Sequence, residues 1–324
     1  MSGSVLPSEL QSGIAGLIEG VPAKELARRS LQLSLDYRGG KNSERAVRDN
    51  LDVAAYATAR LPATYAAIAA VLGELKTRAP NFAPESLLDM GAGPGTASWA
   101  VADAWPQLNS VAMLDCSSPF LAVAEKLARA SLSPALRNAT LTLGDLASTP
   151  LNARYELVVA AYALAEMSGN VADRAIQLWN ACGGALVIVE PGTPAGFDHI
   201  LSARAALLAS DARIVAPCPS AYPCPIKAPD WCHFAQRLPR SRAHMRAKHA
   251  VVPFEDEKFS YLVVARDEIV LAPTTARIVA PPRATKPSLQ LRLCTQGGIV
   301  ERAVLKRDKA AFKAVAKKRW GDAL

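Results

Sequence analysis

The chain alternates between two hydrophobic periods. Between residues 86 and 190, short apolar runs recur and end in a carboxylate: Leu87-Leu88 before Asp89, Val111-Ala112-Met113-Leu114 before Asp115, Leu141-Thr142-Leu143 before Gly144-Asp145, and Ala185-Leu186-Val187-Ile188-Val189 before Glu190. A further run, Leu157-Val158-Val159-Ala160-Ala161, lies between the last two. Unbroken runs of this length fit parallel strands buried on both faces. Residues 119–130 between them have helical spacing, so strands and helices alternate as in a doubly wound α/β sheet. Upstream, residues 23–78 are alanine-rich, and two helices over 46–61 and 63–75 are predicted to divide at Pro62. Downstream, residues 259–265 read as a returning strand, and residues 289–294 and 298–304 as a hairpin about Thr295-Gln296-Gly297-Gly298. Three regions follow: a helical region over 1–82, a Rossmann-like core over 83–210, and an extension over 211–324.

The turn Asp89-Met90-Gly91-Ala92-Gly93-Pro94-Gly95-Thr96 joins the first strand to a helix. Glycines let the backbone approach a ligand closely, and the helix start offers unpaired N–H groups. A dinucleotide fingerprint reads G-x-G-x-x-G, whereas here the third glycine arrives one residue early. A NAD-dependent enzyme is therefore the weaker alternative. The form Asp89…Gly91-x-Gly93-x-Gly95 resembles motif I of the class I S-adenosylmethionine (SAM) methyltransferases. Asp115, about 20 residues past the turn, stands where an acid accepts bonds from ribose hydroxyls. Asp145 stands where a carboxylate can hold the adenine amino group. The predicted cofactor residues are thus Asp89, Gly91, Gly93, Gly95, Asp115 and Asp145. No catalytic group is legible. The strand end Ala160-Ala161-Tyr162-Ala163 lacks the Asn/Asp-Pro-Pro-Tyr/Phe motif of amino-methylating enzymes, and Cys116 and Cys182 read as small core residues.

Charge divides the chain. Residues 1–200 carry a net of −4 and residues 201–324 a net of +12, so the second half is expected to face a polyanion. Arg237, Arg240, Arg242 and Arg246 surround a cysteine-rich loop. A terminal helix is predicted to carry Arg302, Lys306, Lys309, Lys313 and Lys317 at helical spacing, a phosphate-tracking stripe or simply a soluble face. No apolar run approaches the roughly 18 residues of a membrane span. Glu9 and Glu19 interrupt the N-terminus, and no leader pattern is legible there, so a cytoplasmic monomer is expected.

In such a setting, six cysteines point to core, catalytic or metal-binding roles rather than disulfides. Pro217-Cys218-Pro219, Pro223-Cys224-Pro225 and Trp231-Cys232-His233 form a proline-stiffened loop, and Cys294 ends an apolar alternating run. Zinc knuckles favour C-x2–4-C spacing, whereas wide gaps beside proline fit a 4Fe-4S cluster better. Zinc and unligated thiols stay open as alternatives. His233 is a substitute ligand or a surface residue facing RNA.

Several stretches together resemble the methyltransferase-like proteins associated with the mitochondrial small ribosomal subunit and their bacterial relatives. They are Arg60-Leu61-Pro62-Ala63-Thr64-Tyr65, residues 87–96, Val189-Glu190-Pro191-Gly192-Thr193-Pro194, Asp230-Trp231-Cys232-His233-Phe234, residues 254–261, and the Cys218, Cys224, Cys232 loop with distal Cys294. The resemblance implies a SAM-binding fold, a 4Fe-4S cluster on those four cysteines, and binding to small-subunit rRNA during assembly. Two functions follow: an rRNA methyltransferase, or a catalytically silent assembly factor. The missing base-positioning motif favours the second.

Overall fold

The computed structural model describes residues 5–145, 149–151, 153–167 and 169–324. Five helices precede the sheet: α1 (Ser8–Leu17), α2 (Ala23–Arg38), α3 (Ser43–Ala46), α4 (Asn50–Ala59) and α5 (Leu61–Arg78). Asp49 caps α4 by accepting from the N–H groups of Leu51 and Asp52, and Pro62 sits in the first turn of α5. The N–H groups of a first turn have no intrahelical partners, so proline is tolerated there, and the division falls at Arg60, two residues before the predicted Pro62.

The core then alternates as β1 (Ser86–Met90), α6 (Thr96–Ala104), β2 (Ser110–Asp115), α7 (Ser118–Arg129), α8 (Pro134–Arg137), β3 (Thr140–Leu143), β4 (Tyr155–Ala161), α9 (Val171–Asn180), β5 (Cys182–Pro191), α10 (Pro194–Leu208), β6 (Arg213–Ala216), β7 (Phe234–Pro239), α11 (Arg242–Ala247) and β8 (Phe254–Ala265). The strand order is β3-β2-β1-β4-β5-β8-β6, with β7 also on β8. The first five strands are parallel, and β8 runs antiparallel between β5 and β6. This is the class I methyltransferase arrangement, and its reversed strand separates it from the dinucleotide-binding order. Leu157, Val159, Ala185 and Val187 pack on one face with α4–α7, while Val158, Leu186 and Ile188 pack on the other with α9 and α10. The central strands are therefore apolar on both sides, as their unbroken runs required.

β6 and β7 both pair with β8, one toward each of its ends. The cysteine loop is the crossover between them. A second sheet follows: β9 (Ala276–Ile278), β10 (Arg283–Ala284), β11 (Ser288–Thr295) and β12 (Gly298–Leu305), then α12 (Lys309–Val315). The hairpin forms in the expected register, Thr295 opposite Gly298. The predicted terminal helix is shorter than expected. Arg302 lies on β12 and Lys306 just beyond it, because that backbone pairs with β11, and Lys317 lies past α12. No helix among the described residues is long and apolar enough to cross a membrane.

Candidate functional site

The ends of β1, β2 and β4 and the start of α6 enclose a cavity of about 250 Å³. All three glycines of the turn have positive φ. A Cβ at Gly91 would lie 2.5 Å from the Ala163 Cβ, whereas one at Gly93 would meet nothing within 4 Å. Gly91 thus serves strand packing, and Gly93 leaves open space beside the turn. Asp115, almost wholly buried, accepts from Gly93 N at 2.7 Å and from Ser117 N at 2.7 Å. It fixes the turn while lining the cavity, and Asp145 lines the cavity too. Asp89 also lines it, but one of its oxygens accepts from the Ser98 N–H and hydroxyl at 2.8 and 2.7 Å, in the first turn of α6. Burial pushes Asp89 up to about 6. A carboxylate buried at a helix N-terminus explains an acid two residues before the glycines without any ligand.

Other lining groups carried no legible signal. Asn42, Ser43 and Glu44, at the start of α3, form part of the wall, and Ser43 N donates to Glu166 at 2.6 Å. Glu166 lies five residues past β4, and burial pushes it up to about 7. Cys116 also reaches the cavity, and burial raises its thiol to about 11. That thiol is a poor thiolate nucleophile. Cys182 lies wholly inside the core as read.

Because the folded chain holds the Glu166 proton until about pH 7 and the unfolded chain releases it near 4.5, this group favours folding fully below the lower value. Its contribution fades as pH rises to the upper one. Glu166→Gln keeps an acceptor for Ser43 and removes the titration. It is expected to flatten the fall in stability across that window by about 3 kcal/mol, read by urea denaturation at several pH values. An unchanged slope would place Glu166 in solvent.

The four predicted ligands Cys218, Cys224, Cys232 and Cys294 line one cavity beneath α10, with Phe234, Tyr261, Arg204 and Arg277 among its other walls. The β6–β7 crossover brings three of them, and β11 brings the fourth. Burial pushes the Cys218 and Cys232 thiols up and raises Cys294 to about 11. The Arg204 guanidinium lies beside Cys218 and lowers it in opposition. Nη2 of Arg277 and Nε of Arg204 are buried without a partner. Among the described residues, no three His, Cys, Asp or Glu side chains close around a single metal ion. His233 stacks on Trp231 at 5.1 Å and meets Trp320 edge-on at 5.0 Å, away from a ligand's role.

The basic surface divides. Arg237 makes two bonds of 2.7 Å to Asp256 and lies over the Phe254 ring. Arg240 and Lys248 bond Glu255 at 3.2 and 2.5 Å, with His244 3.1 Å from the same carboxylate. Although burial opposes it, His244 and Lys248 hold Glu255 far below the usual carboxylate range. Arg242 and Arg246 are exposed and line a groove with His249 and with Lys24 of α2. Lys24 was not foreseen, since α2 and α11 meet only in the folded chain. Lys306, Lys309, Lys313 and Lys317 are exposed, the first on the hairpin end and the others on or past α12.

The strand order and glycine turn define a protein of the class I methyltransferase fold. Residues 50–324 match the family described as mitochondrial small ribosomal subunit Rsm22, and the chain belongs to that family. It is 30% identical over 294 residues to the human protein called ribosome assembly protein METTL17, mitochondrial, across 83% of this chain and 61% of that protein. It is 28% identical over 351 residues to Rsm22-cox11 tandem protein 2, mitochondrial, of Schizosaccharomyces pombe, across 92% and 46%. The chain thus spans about half to three-fifths of the length of these relatives. Among solved structures, magnesium protoporphyrin IX methyltransferase from Synechocystis PCC 6803 is 14% identical with a TM-score of 0.40, across 64% of this chain and 83% of that one. The family description and both relatives are mitochondrial, which corrects the cytoplasmic setting expected above. That expectation rested on a leader not being legible, and such a signal is read by import machinery rather than by the fold.

Proposed function

We propose that this chain is a SAM-binding, methyltransferase-like protein of small ribosomal subunit assembly. In this reading it holds a 4Fe-4S cluster at Cys218, Cys224, Cys232 and Cys294 and docks on small-subunit rRNA as a monomer. Kinship to a family and a relative named for that subunit and its assembly supports the setting. The observation that carries the silent reading lies at the end of β4. Tyr162 adopts φ 58° there, and its hydroxyl donates to Glu257 at 3.0 Å, with Arg60 3.6 Å from the same carboxylate. The position that positions an acceptor in amino-methylating enzymes is spent on a half-buried network around the Glu257 carboxylate.

The residues at the turn fit SAM. Gly93 leaves the space that a close-approaching ligand needs, the start of α6 offers N–H groups, and Asp115 and Asp145 supply acceptors for ribose and adenine. When bound, SAM supplies an electrophilic methyl group. The four thiols fit a wide cluster better than one zinc ion, since a polynuclear core needs ligands around a cavity rather than around a point. Glu166 favours a second reading, an active rRNA methyltransferase, because a buried carboxyl near neutrality can act as a general base.

Rather than all four predicted arginines, Arg242 and Arg246 with Lys24 are the strongest phosphate contacts, as Arg237 and Arg240 already have carboxylate partners. Replacing both Arg242 and Arg246 with Gln is expected to weaken binding to small-subunit rRNA and to reduce the salt slope by about one unit per lost contact. SAM affinity should be unchanged. If the double variant binds rRNA like the wild type at every salt concentration, the groove is only a solvated surface. Methyl-labelled SAM in the same mixtures decides between the readings, as transfer of label to rRNA would establish the active enzyme.

A further inference from the structure

We propose that Arg204 is a built-in counter-charge of the four-cysteine centre and Arg277 a second free donor to it, which makes the cavity a receptor for a tetrathiolate group of net charge 2−. This rests on the cluster reading above. Arg277 is 1% exposed and stands opposite Cys294 in the β9–β11 register. Its Nε donates to Pro217 O at 2.8 Å, and its Nη1 bonds Gly321 O at 2.6 Å and the Glu74 carboxylate. Its Nη2 has no partner. Arg204, on α10 and 7% exposed, donates through Nη2 to Ser220 O and Tyr222 O at 3.0 and 2.6 Å, while its Nε has no hydrogen-bond partner and its guanidinium lies against the Cys218 thiol. Both side chains line the cavity that the four cysteines share.

Leaving a buried donor unpaired is costly, and a buried cation is retained where an opposite charge meets it. Glu74 answers Arg277, but among the described residues no carboxylate pairs with Arg204. Two guanidinium donors are therefore unsatisfied at the place where four thiols converge. Four thiolates around a core of charge 2+ carry a net 2−, and their sulfurs are the acceptors these N–H groups lack. Adding one electron raises that charge to 3−, so the Arg204 cation favours the reduced form. Sequence reading could not find this pair, because Arg204 and Arg277 lie on a helix and a short strand far apart in the chain with no motif around them.

The test is anaerobic reconstitution of the full chain as wild type, Arg204→Gln and Arg204→Lys. Iron per chain is measured, and the midpoint potential is titrated with dithionite as the one-electron reductant. At fixed potential, Arg204→Gln is expected to lower the reduced-to-oxidised ratio about tenfold, about 59 mV for a one-electron couple. Arg204→Lys, which keeps the charge, is expected to stay close to wild type. Equal iron content and equal potential in wild type and Arg204→Gln would overturn the inference while leaving the cluster intact. An equal fall in Gln and Lys variants would overturn it too, since charge would then not be the cause. A wild-type chain that takes up no iron would overturn the cluster reading and this inference with it. If Arg204→Gln does not fold, Arg204→Met is read by the same criteria.

Discussion

Gly93→Val is expected to weaken SAM binding at least about a hundredfold, about 2.7 kcal/mol, while leaving a folded protein. The two glycines of the turn differ in what a side chain would meet. At Gly91 an added Cβ lies 2.5 Å from Ala163, so substitution there disturbs β4 packing and the fold itself. At Gly93 nothing stands within 4 Å, so the fold bears only the left-handed backbone conformation at φ 55°. That conformation costs an L-residue roughly 1–2 kcal/mol. The isopropyl group instead fills the space through which a ligand must approach the start of α6. Asp115 stays bonded to Gly93 N in the wild type, so the turn is already formed before a ligand arrives. Calorimetry with thermal melting of the same sample separates the two effects. A folded Gly93→Val chain with unchanged SAM affinity would remove the cofactor assignment at this turn.

Cys294→Ser is expected to abolish iron binding and lower the melting temperature by about 10 °C relative to the loaded wild type. A ligand at a thousandfold above its dissociation constant stabilises by about 4 kcal/mol, and each kcal/mol shifts the melting of a domain this size by roughly 2–4 °C. In the proposed cluster, Cys294 would be the ligand that joins the two sheets. The other three cysteines hang from the β6–β7 crossover, and Cys294 comes from the strand paired with Arg277. Arg277 ties this strand to Pro217 and Glu74, and Arg292 bonds Asp230 at 2.8 Å across the same junction. Losing the thiolate therefore loosens the C-terminal sheet as well as the centre. In metal-free samples the same substitution should change melting little, because serine fills nearly the same space. A Cys294→Ser chain that retains full iron content would move the ligand set elsewhere.

The sequence by itself determined the elements whose signal is local. Unbroken apolar runs marked β1, β2, β4 and β5, the helix break came at Arg60, two residues before Pro62, and Thr295 to Gly298 fixed the hairpin. The early third glycine distinguished the turn from a dinucleotide fingerprint, and the reversed β8 then separated the sheet from that class. What pairing decides was not legible. Asp89 is largely a cap for α6, Arg237 and Arg240 are taken up by Asp256 and Glu255, and the expected lysine stripe is split between β12 and α12. Each is settled by a partner far along the chain or across a strand, and no hydrophobic period encodes such a partner. Glu166 over the glycine turn, Lys24 beside Arg246, and Arg204 and Arg277 at the four thiols became visible for the same reason. The sequence set which residues could carry charge or bind a ligand, and only the closing of the sheets decided which of them meet.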